Sequence, residues 1–433
     1  MPVLLLELNE INFDQIRAYV ELGKLPTLAT IIQTHGVAET TSEESYHELE
    51  PWIQWVTAHT GKSLAEHRVF RLGDAGQVDL EQIWEVLERQ GLTVGAISPM
   101  NALNRCRDAA FFIPDPWTST EITGSRVMKA LYRAVAQAVN DNAQSRITPS
   151  SALGLVAGLG VYARPVNYRR YLGLLQSAAR GRPWAKAMML DQLLADIFIR
   201  QVRTKRPDFA SLFLNAGAHI QHHYMFNSGA YRGPLTNPDW YVPKGLDPVL
   251  QVYELYDRIL AQIGNSFPAA RLILATGLHQ DPHPDVTFYW RLKDHSAFLR
   301  RAGVPFDRVE PRMSRDFMVF CANPQDAAEA KRRLESMTAD GASLFEVDNR
   351  GSDLFVMFVW PREIPAEFVY HQGNQAVRGL REDVAFVAIK NGGHNGIGYL
   401  VDTGAGAGAN LKSFPLREMP QRIADACGVS WVA

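Results

Sequence analysis

The chain has 433 residues, 46% hydrophobic and 21% charged, with 44 Lys+Arg against 46 Asp+Glu for a formal net charge of -2. These proportions describe a globular protein and exclude disordered, fibrous and low-complexity classes, and the near-zero charge argues against a general nucleic-acid binder. Cys106, Cys321 and Cys427 are too few and too far apart for a disulfide framework or a thiolate zinc site, so a reducing, cytoplasmic compartment is expected.

Residues 3–9 form an apolar run interrupted at Glu7, with no basic segment before it, which predicts a buried strand and not a signal peptide. Helical spacing over 13–22 ends at Gly23. A second short helix follows over 28–33, then an extended segment over 37–41 and a helix over 51–59 with Pro51 in its first turn. A helix over 80–90 closes at Gly91 and a strand follows over 93–98. Further core strands are predicted over 209–214, 271–275 and 384–389. Strands apolar throughout, separated by amphipathic helices, predict an α/β fold: a three-layer sandwich with a mostly parallel central sheet covered on both faces.

Two stretches interrupt this alternation. Residues 118–206 read as helices broken at Pro149, Pro165 and 181–183, with 14 Lys/Arg against four acids (Glu121, Asp141, Asp191, Asp196), a net of +10 set against -12 for the remainder. A cap of one sign focuses its field on an anionic ligand. The apolar run 152–163 inside it, 12 residues, is too short to span a bilayer but suits a lipid-phosphate substrate or an interfacial contact. Residues 312–361 predict a small α+β insertion: a strand over 316–321, a helix over 324–337, and strands over 344–347 and 354–360. The expected division is an α/β core over 1–117, 207–311 and 362–433, a basic helical cap over 118–206, and the insertion over 312–361.

Histidine carries the chemistry. His219, His222 and His223 are spaced i, i+3, i+4, so a helix gathers them on one side where they can converge on an ion. His279 and His283 form a second group, and His394 lies in a glycine-rich stretch over 392–398. The first two groups follow predicted core strands, and ligand sites in open α/β sheets lie beyond the carboxyl ends of the strands.

The order of several short segments is similar to one family. These are residues 3–14 with Asn9 near their middle, Gly23 to Leu28 with Pro26, Glu50-Pro51-Trp52 followed by His59, Thr60, Gly61, Glu66 and His67, Ala218 to His222, 272–276, Gly393 to Gly398, and 415–428. In this order the chain resembles the alkaline phosphatase superfamily, nearest its type I phosphodiesterase/nucleotide pyrophosphatase branch. The resemblance implies that fold, an active-site cap in the helical insertion, and a site with two metal ions, three Asp and three His ligands and a Thr or Ser nucleophile. Measured against that pattern, Asn9 stands at the first Asp, Ala218 at the second, and Thr276 and Gly277 at the Asp-His pair. Only His222 and His394 match the ligand set. Leu49, between Glu48 and Glu50, aligns with the nucleophile, and a hydroxyl enters only if a shifted alignment brings in Ser45 or Thr57. A neutral Asn and an Ala cannot supply the charge that holds two divalent ions close together.

Three functions are compatible with this. The leading one is a hydrolase or transferase with a rebuilt site holding one divalent transition metal, zinc foremost. Its ligands are expected among His222, His223, His279, His283 and His394. Glu10, Glu48, Glu50 and His219 are its candidate acid–base groups or ligands, with Asp281 in reserve, and Asn9, Arg68 and Arg71 its candidate substrate contacts. The others are a metal-free His/Glu acid–base enzyme and a non-catalytic ligand-binding descendant. The expected substrate is a phosphoric ester or comparable small or lipid-tethered anion, such as a nucleotide-sugar, glycan or lipid-linked precursor. Membrane contact is secondary, and no nucleic-acid partner is expected. Arg68 and Arg71 equally suit structural ion pairs, and Trp52 and Trp55 suit a core. The glycine run 403–409 lacks the Lys-Ser/Thr of a phosphate loop and reads as a flexible loop.

Overall fold

The computed structural model describes residues 1–140, 148–312, 315–405 and 412–432, so part of the 403–409 glycine run lies outside the described residues. In chain order the elements begin β1 (Val3–Leu8), α1 (Phe13–Glu21), α2 (Pro26–His35), β2 (Ala38–Thr41), α3 (Pro51–Thr60), α4 (Leu64–His67), α5 (Ile83–Arg89), β3 (Val94–Ile97) and β4 (Phe111–Ile113). Then come α6 (Arg126–Asn140), α7 (Pro149–Tyr162), α8 (Tyr168–Ala179), α9 (Trp184–Lys205), β5 (Phe209–Leu214), α10 (Ala216–Tyr224), α11 (Pro248–Ser266), β6 (Arg271–Ala275) and β7 (His279–Leu292). The next group is α12 (His295–Arg301), β8 (Arg308–Pro311), β9 (Asp316–Phe320), α13 (Pro324–Glu335), β10 (Met337–Ala339), β11 (Ala342–Ser343), β12 (Phe345–Arg350) and β13 (Asp353–Phe358). The chain ends with β14 (Val369–Gln372), β15 (Gln375–Arg378), α14 (Leu380–Asp383), β16 (Val384–Asn395), β17 (Ile397–Asp402), β18 (Phe414–Pro415) and α15 (Met419–Ala426).

An eight-stranded sheet with order β18-β2-β17-β6-β1-β5-β3-β4 forms the frame. β1 lies between β5 and β6, parallel to both, and β3 is parallel to β5 and β4. β17 is the exception, running antiparallel to β6 and β2. Every residue of β1 and β5 is buried, so both faces of the sheet are covered, as the unbroken apolar runs predict. Val3 and Leu5 belong to a core with Trp55, Ile83, Trp84, Met419 and Ile423. Glu7 pairs in register with Phe213 and Ala275, so β1, β5 and β6 end at one edge of the sheet. The turns after those three strands carry the candidate site.

Two departures from the predicted elements stand out. The strand foreseen over 384–389 is the start of β16, which pairs with β7 outside the main sheet. Its half-exposed pattern explains why: a central strand would be buried on both sides. β17, the antiparallel member of the main sheet, went unforeseen.

The chain forms two compact units, residues 1–232, 244–282 and 392–433, and residues 233–243 and 283–391. The 118–206 segment is part of the first unit, because α9 packs on β5, α10 and α11. The second unit holds two antiparallel four-stranded sheets, β11-β10-β14-β15 and β12-β13-β9-β8, around Phe317, Phe345, Leu354 and Phe358. The 312–361 insertion lies inside this larger unit, which also takes in α12, β8, β14 and β15. No described helix is long and apolar enough to cross a membrane.

Candidate metal centre

β1 delivers Asn9 and Glu10 to the edge where the parallel strands end. Glu10 has a φ of 60°, the left-handed region that a residue with a Cβ enters only when its surroundings hold it there. Three backbone ties do so: Asn9 N–H donates to Leu214 O at 3.1 Å, Glu10 N–H to Thr276 O at 3.1 Å, and Gln221 Nε2 donates to Glu10 O at 2.8 Å. The turn therefore locks onto the segments following β5 and β6.

The Glu10 side chain is buried. Its Oε1 accepts from Asn9 Nδ2 at 2.9 Å, and its Oε2 accepts from Gln280 Nε2 at 2.5 Å. Oε2 also lies 3.1 Å from His222 Nε2 and 3.1 Å from His394 Nε2, which are 3.2 Å from each other. Burial alone pushes the Glu10 carboxyl up, but His394 and His222 outweigh it and hold the group well below the usual carboxylate range. Among the described residues this trio is the one group of ligand-type side chains converging on a point.

The donor set fits a transition metal. Zinc bonds to imidazole nitrogen at about 2.0–2.1 Å, so neighbouring ligand atoms in a tetrahedron stand roughly 3.3 Å apart, close to the spacings seen. Two imidazoles and one carboxylate serve zinc in hydrolases and also form the facial triad of non-haem iron(II). A metal held by these three protein ligands would keep a position for water or substrate. The outer contacts suit ligation as well. His222 Nδ1 lies 3.3 Å from Gly392 O, which fixes the proton there and leaves Nε2 as the lone-pair donor. His394 Nδ1 faces Glu50 Oε2 at 3.8 Å. Gly392 leaves no room for a side chain, since a Cβ would lie 2.1 Å from Gln280 Oε1 and 3.0 Å from Gln221 O.

His222 reaches the centre because α10 is anchored at its start. Asp191 of α9, pushed up to about 6 by burial, accepts from Ala216 N at 2.8 Å and from Tyr256 OH at 2.6 Å. Tyr256 OH in turn accepts from Gly217 N at 2.8 Å. An acid at a helix N-terminus is electrostatically favourable, and here it ties the helical segment to the site.

The remaining candidates are distributed otherwise. α10 forms as the histidine spacing predicts, but His219 is exposed and its ring packs on His223 at 4.8 Å, away from the carboxylate. His279 Nδ1 lies 2.6 Å from Ile397 O and its Nε2 3.2 Å from Asp281 Oδ1, so it pairs with Asp281 and stands outside the Glu10, His222 and His394 group. His283 belongs to the second unit, its Nδ1 2.8 Å from Asp285 O. Glu48 ends a single 3-10 turn and offers its carbonyl to Gln54 Nε2 at 2.9 Å. Arg68 and Arg71 are exposed, and no described contact brings either to Glu10. Asn9 spends both amide hydrogens inside the protein, the second on Asn215 Oδ1 at 2.8 Å, and its Oδ1 accepts from Trp55 Nε1 at 2.7 Å, so it has no donor left for a substrate. Thr57 Oγ1 lies 3.2 Å from His67 Nε2, and His67 Nδ1 accepts from Val69 N at 3.0 Å. The proton is thus on Nε2, and His67 is no base for that hydroxyl.

Sequence reasoning overlooked Gln221 and Gln280. Each sits inside one of the two histidine runs, and that repeated placement was the available clue. Gln221 Oε1 accepts from Tyr253 OH at 2.5 Å and from Asn12 N at 3.2 Å, which continues the network behind Glu10. Glu7 and His59 form a second buried contact, at 2.6 Å, with His59 packed on Trp55 and Trp84.

No protein-family model matches the chain, and no curated protein matches it. Similar solved structures include phosphonoacetate hydrolase from Sinorhizobium meliloti 1021 in complex with phosphonoacetate, at 15% identity and a TM-score of 0.47, covering 99% of this chain and 96% of that one. Murine ectonucleotide pyrophosphatase/phosphodiesterase 5 is similar at 9% identity and a TM-score of 0.47, covering 100% of this chain and 96% of that one.

Proposed function

We propose that the chain is a hydrolase of anionic esters, phosphoric esters foremost, working through one divalent transition metal held by Glu10, His222 and His394. The observation that carries this is the mutual approach of the three ligand atoms to 3.1–3.2 Å around a buried carboxylate. A metal there supplies a Lewis acid and lowers the pKa of water toward about 7. The chain's own residues bind and orient. Asn9 and Gln280 fix the carboxylate, the Gly392 carbonyl fixes the His222 tautomer, and Glu50 sits behind His394 as a positioning carboxylate. A divalent ion with a single carboxylate ligand leaves a net positive centre, which favours an anionic substrate over a neutral one.

The test loads metal-stripped protein with zinc, iron(II), nickel or manganese in turn. Stoichiometry is read by elemental analysis, and hydrolysis with bis(p-nitrophenyl) phosphate and p-nitrophenyl phosphate. One ion per chain and metal-dependent hydrolysis that disappears in His222→Ala are expected. Sub-stoichiometric metal, or hydrolysis unaffected by His222→Ala, would overturn the assignment.

A further inference from the structure

α7 contains no charged residue, and its residues 153–161 are apolar throughout, two and a half turns with no polar side. A helix of that kind is ordinarily enclosed by protein or in contact with lipid. Here one side is covered: a Cβ at Gly154 would lie 3.0 Å from Ala130 O, and one at Gly158 would lie 2.6 Å from Leu131 Cδ1, so the small-residue side presses on α6. On the other side Leu153 and Val156 are 70% and 67% exposed. The connection to α8 adds Val166, at 69%. α8 then presents Tyr168, Leu172 and Leu175 at i, i+4 and i+7, a single exposed stripe, while Tyr171 beside it is buried.

Charge along the α7–α8 segment has one sign. Residues 149–182 contain five arginines and no Asp or Glu. Arg164 and Arg170 turn inward, donating to Gln262 Oε1 at 3.1 Å and Gln192 Oε1 at 2.9 Å. Arg169 and Arg180 are exposed and flank the α8 stripe on the same side of the helix. The two acids of α9, the helix on which α8 packs, are turned to other partners. Asp191 is buried beneath α10, and Asp196 is buried, accepting from Arg164 N, Asn167 Nδ2 and Tyr171 OH at 2.8, 2.7 and 3.0 Å.

We propose that the outer faces of α7 and α8 dock the protein on an anionic lipid surface, independently of the metal centre. Leu153, Val156, Leu172 and Leu175 enter the acyl boundary, and Arg169 and Arg180 reach the phosphates with their stems along it. A bilayer matches both features at once, an apolar layer bordered by negative charge. The contact proposed is made at the surface of the bilayer by the side chains of α7 and α8.

The experiment is co-sedimentation of the full chain with vesicles of phosphatidylcholine alone and of phosphatidylcholine with about a third phosphatidylglycerol. Binding to the mixed vesicles, weakened by salt, is expected. Leu172→Ser with Leu175→Ser should lower the partition at least about tenfold. Arg169→Gln with Arg180→Gln should lower it about thirtyfold and flatten the salt dependence. Thermal melts of both pairs confirm that the fold survives, and the arginine pair leaves the apolar packing untouched. Absence of binding to mixed vesicles, or binding unchanged in both pairs, overturns the proposal. So does a lipid-free dimer that dissociates on Leu172→Ser, since a second copy would then cover the face.

Discussion

Asn9 donates its side-chain amide to the carboxylate of Glu10, its neighbour in sequence, at 2.9 Å. The acid that follows β1 is therefore held by the residue before it, and the left-handed turn at Glu10 brings its carboxylate inward. Asn9 fixes the rotamer of that carboxylate without touching the two histidines. Asn9→Ala should weaken zinc binding about 10- to 100-fold, as loss of an outer hydrogen bond to a ligand does, while stoichiometry stays at one. Isothermal titration of metal-stripped protein measures this, and an unchanged affinity would show the contact to be incidental.

Glu10→Gln and His279→Ala separate ligand from brace. Glu10→Gln removes the negative ligand and should abolish stoichiometric metal. His279→Ala leaves all three ligand atoms in place and should retain full metal, at a stability cost of about 1–3 kcal/mol from the unsatisfied Ile397 carbonyl and lost packing. Elemental analysis with urea unfolding distinguishes the two. Loss of metal in His279→Ala at intact fold would make His279 a ligand after all.

Much of the frame was readable because parallel strands buried on both faces announce themselves as unbroken apolar runs, as residues 3–8 and 209–214 do. The pairing of His222 with His394 was readable as well, since both lie in short motifs in a fixed order. The carboxylate that joins them was harder, because Glu10, Glu48 and Glu50 are equivalent in sequence. Only the φ of 60° at Glu10 and the Gln221 and Gln280 ties select one of them. Spacing also overstated the histidine cluster. On the short helix α10, His219 and His222 are one turn apart, yet only His222 meets the carboxylate, because side-chain direction depends on what each residue packs against. β17 escaped notice because an antiparallel strand in a mostly parallel sheet is set by tertiary pairing and not by its own six residues.

Gly392 holds the two sides of the centre together. Its carbonyl faces His222 Nδ1, and the space a Cβ would need is taken by the Gln280 amide oxygen. Gly392→Ala must displace Gln280 from Glu10 Oε2. The expected result is at least a tenfold loss of metal affinity with a modest loss of stability, about 1–3 kcal/mol. Pairing the variant with Gln280→Ala tests the route. If Gln280 transmits the effect, the double variant should bind metal no worse than Gly392→Ala alone, and additive losses would exclude that path.

His67 makes stability depend on pH away from the metal centre. Burial lowers its pKa to about 4 from an ordinary 6.5, with Glu66 opposing. In the folded chain the neutral ring donates from Nε2 to Thr57 and accepts at Nδ1 from Val69 N, an arrangement a second ring proton would break. The unfolded chain takes up its proton first, at about 6.5. The contribution is therefore fully present above that pH, falls as pH drops from 6.5 toward 4, and changes no further once both states are protonated. Between pH 7 and pH 5 the expected loss is about 2 kcal/mol at most. His67→Asn keeps an acceptor near Val69 and cannot titrate. Urea unfolding of both proteins at the two pH values should show a steeper decline in the native protein, and parallel declines would mean that His67 does not titrate in this way.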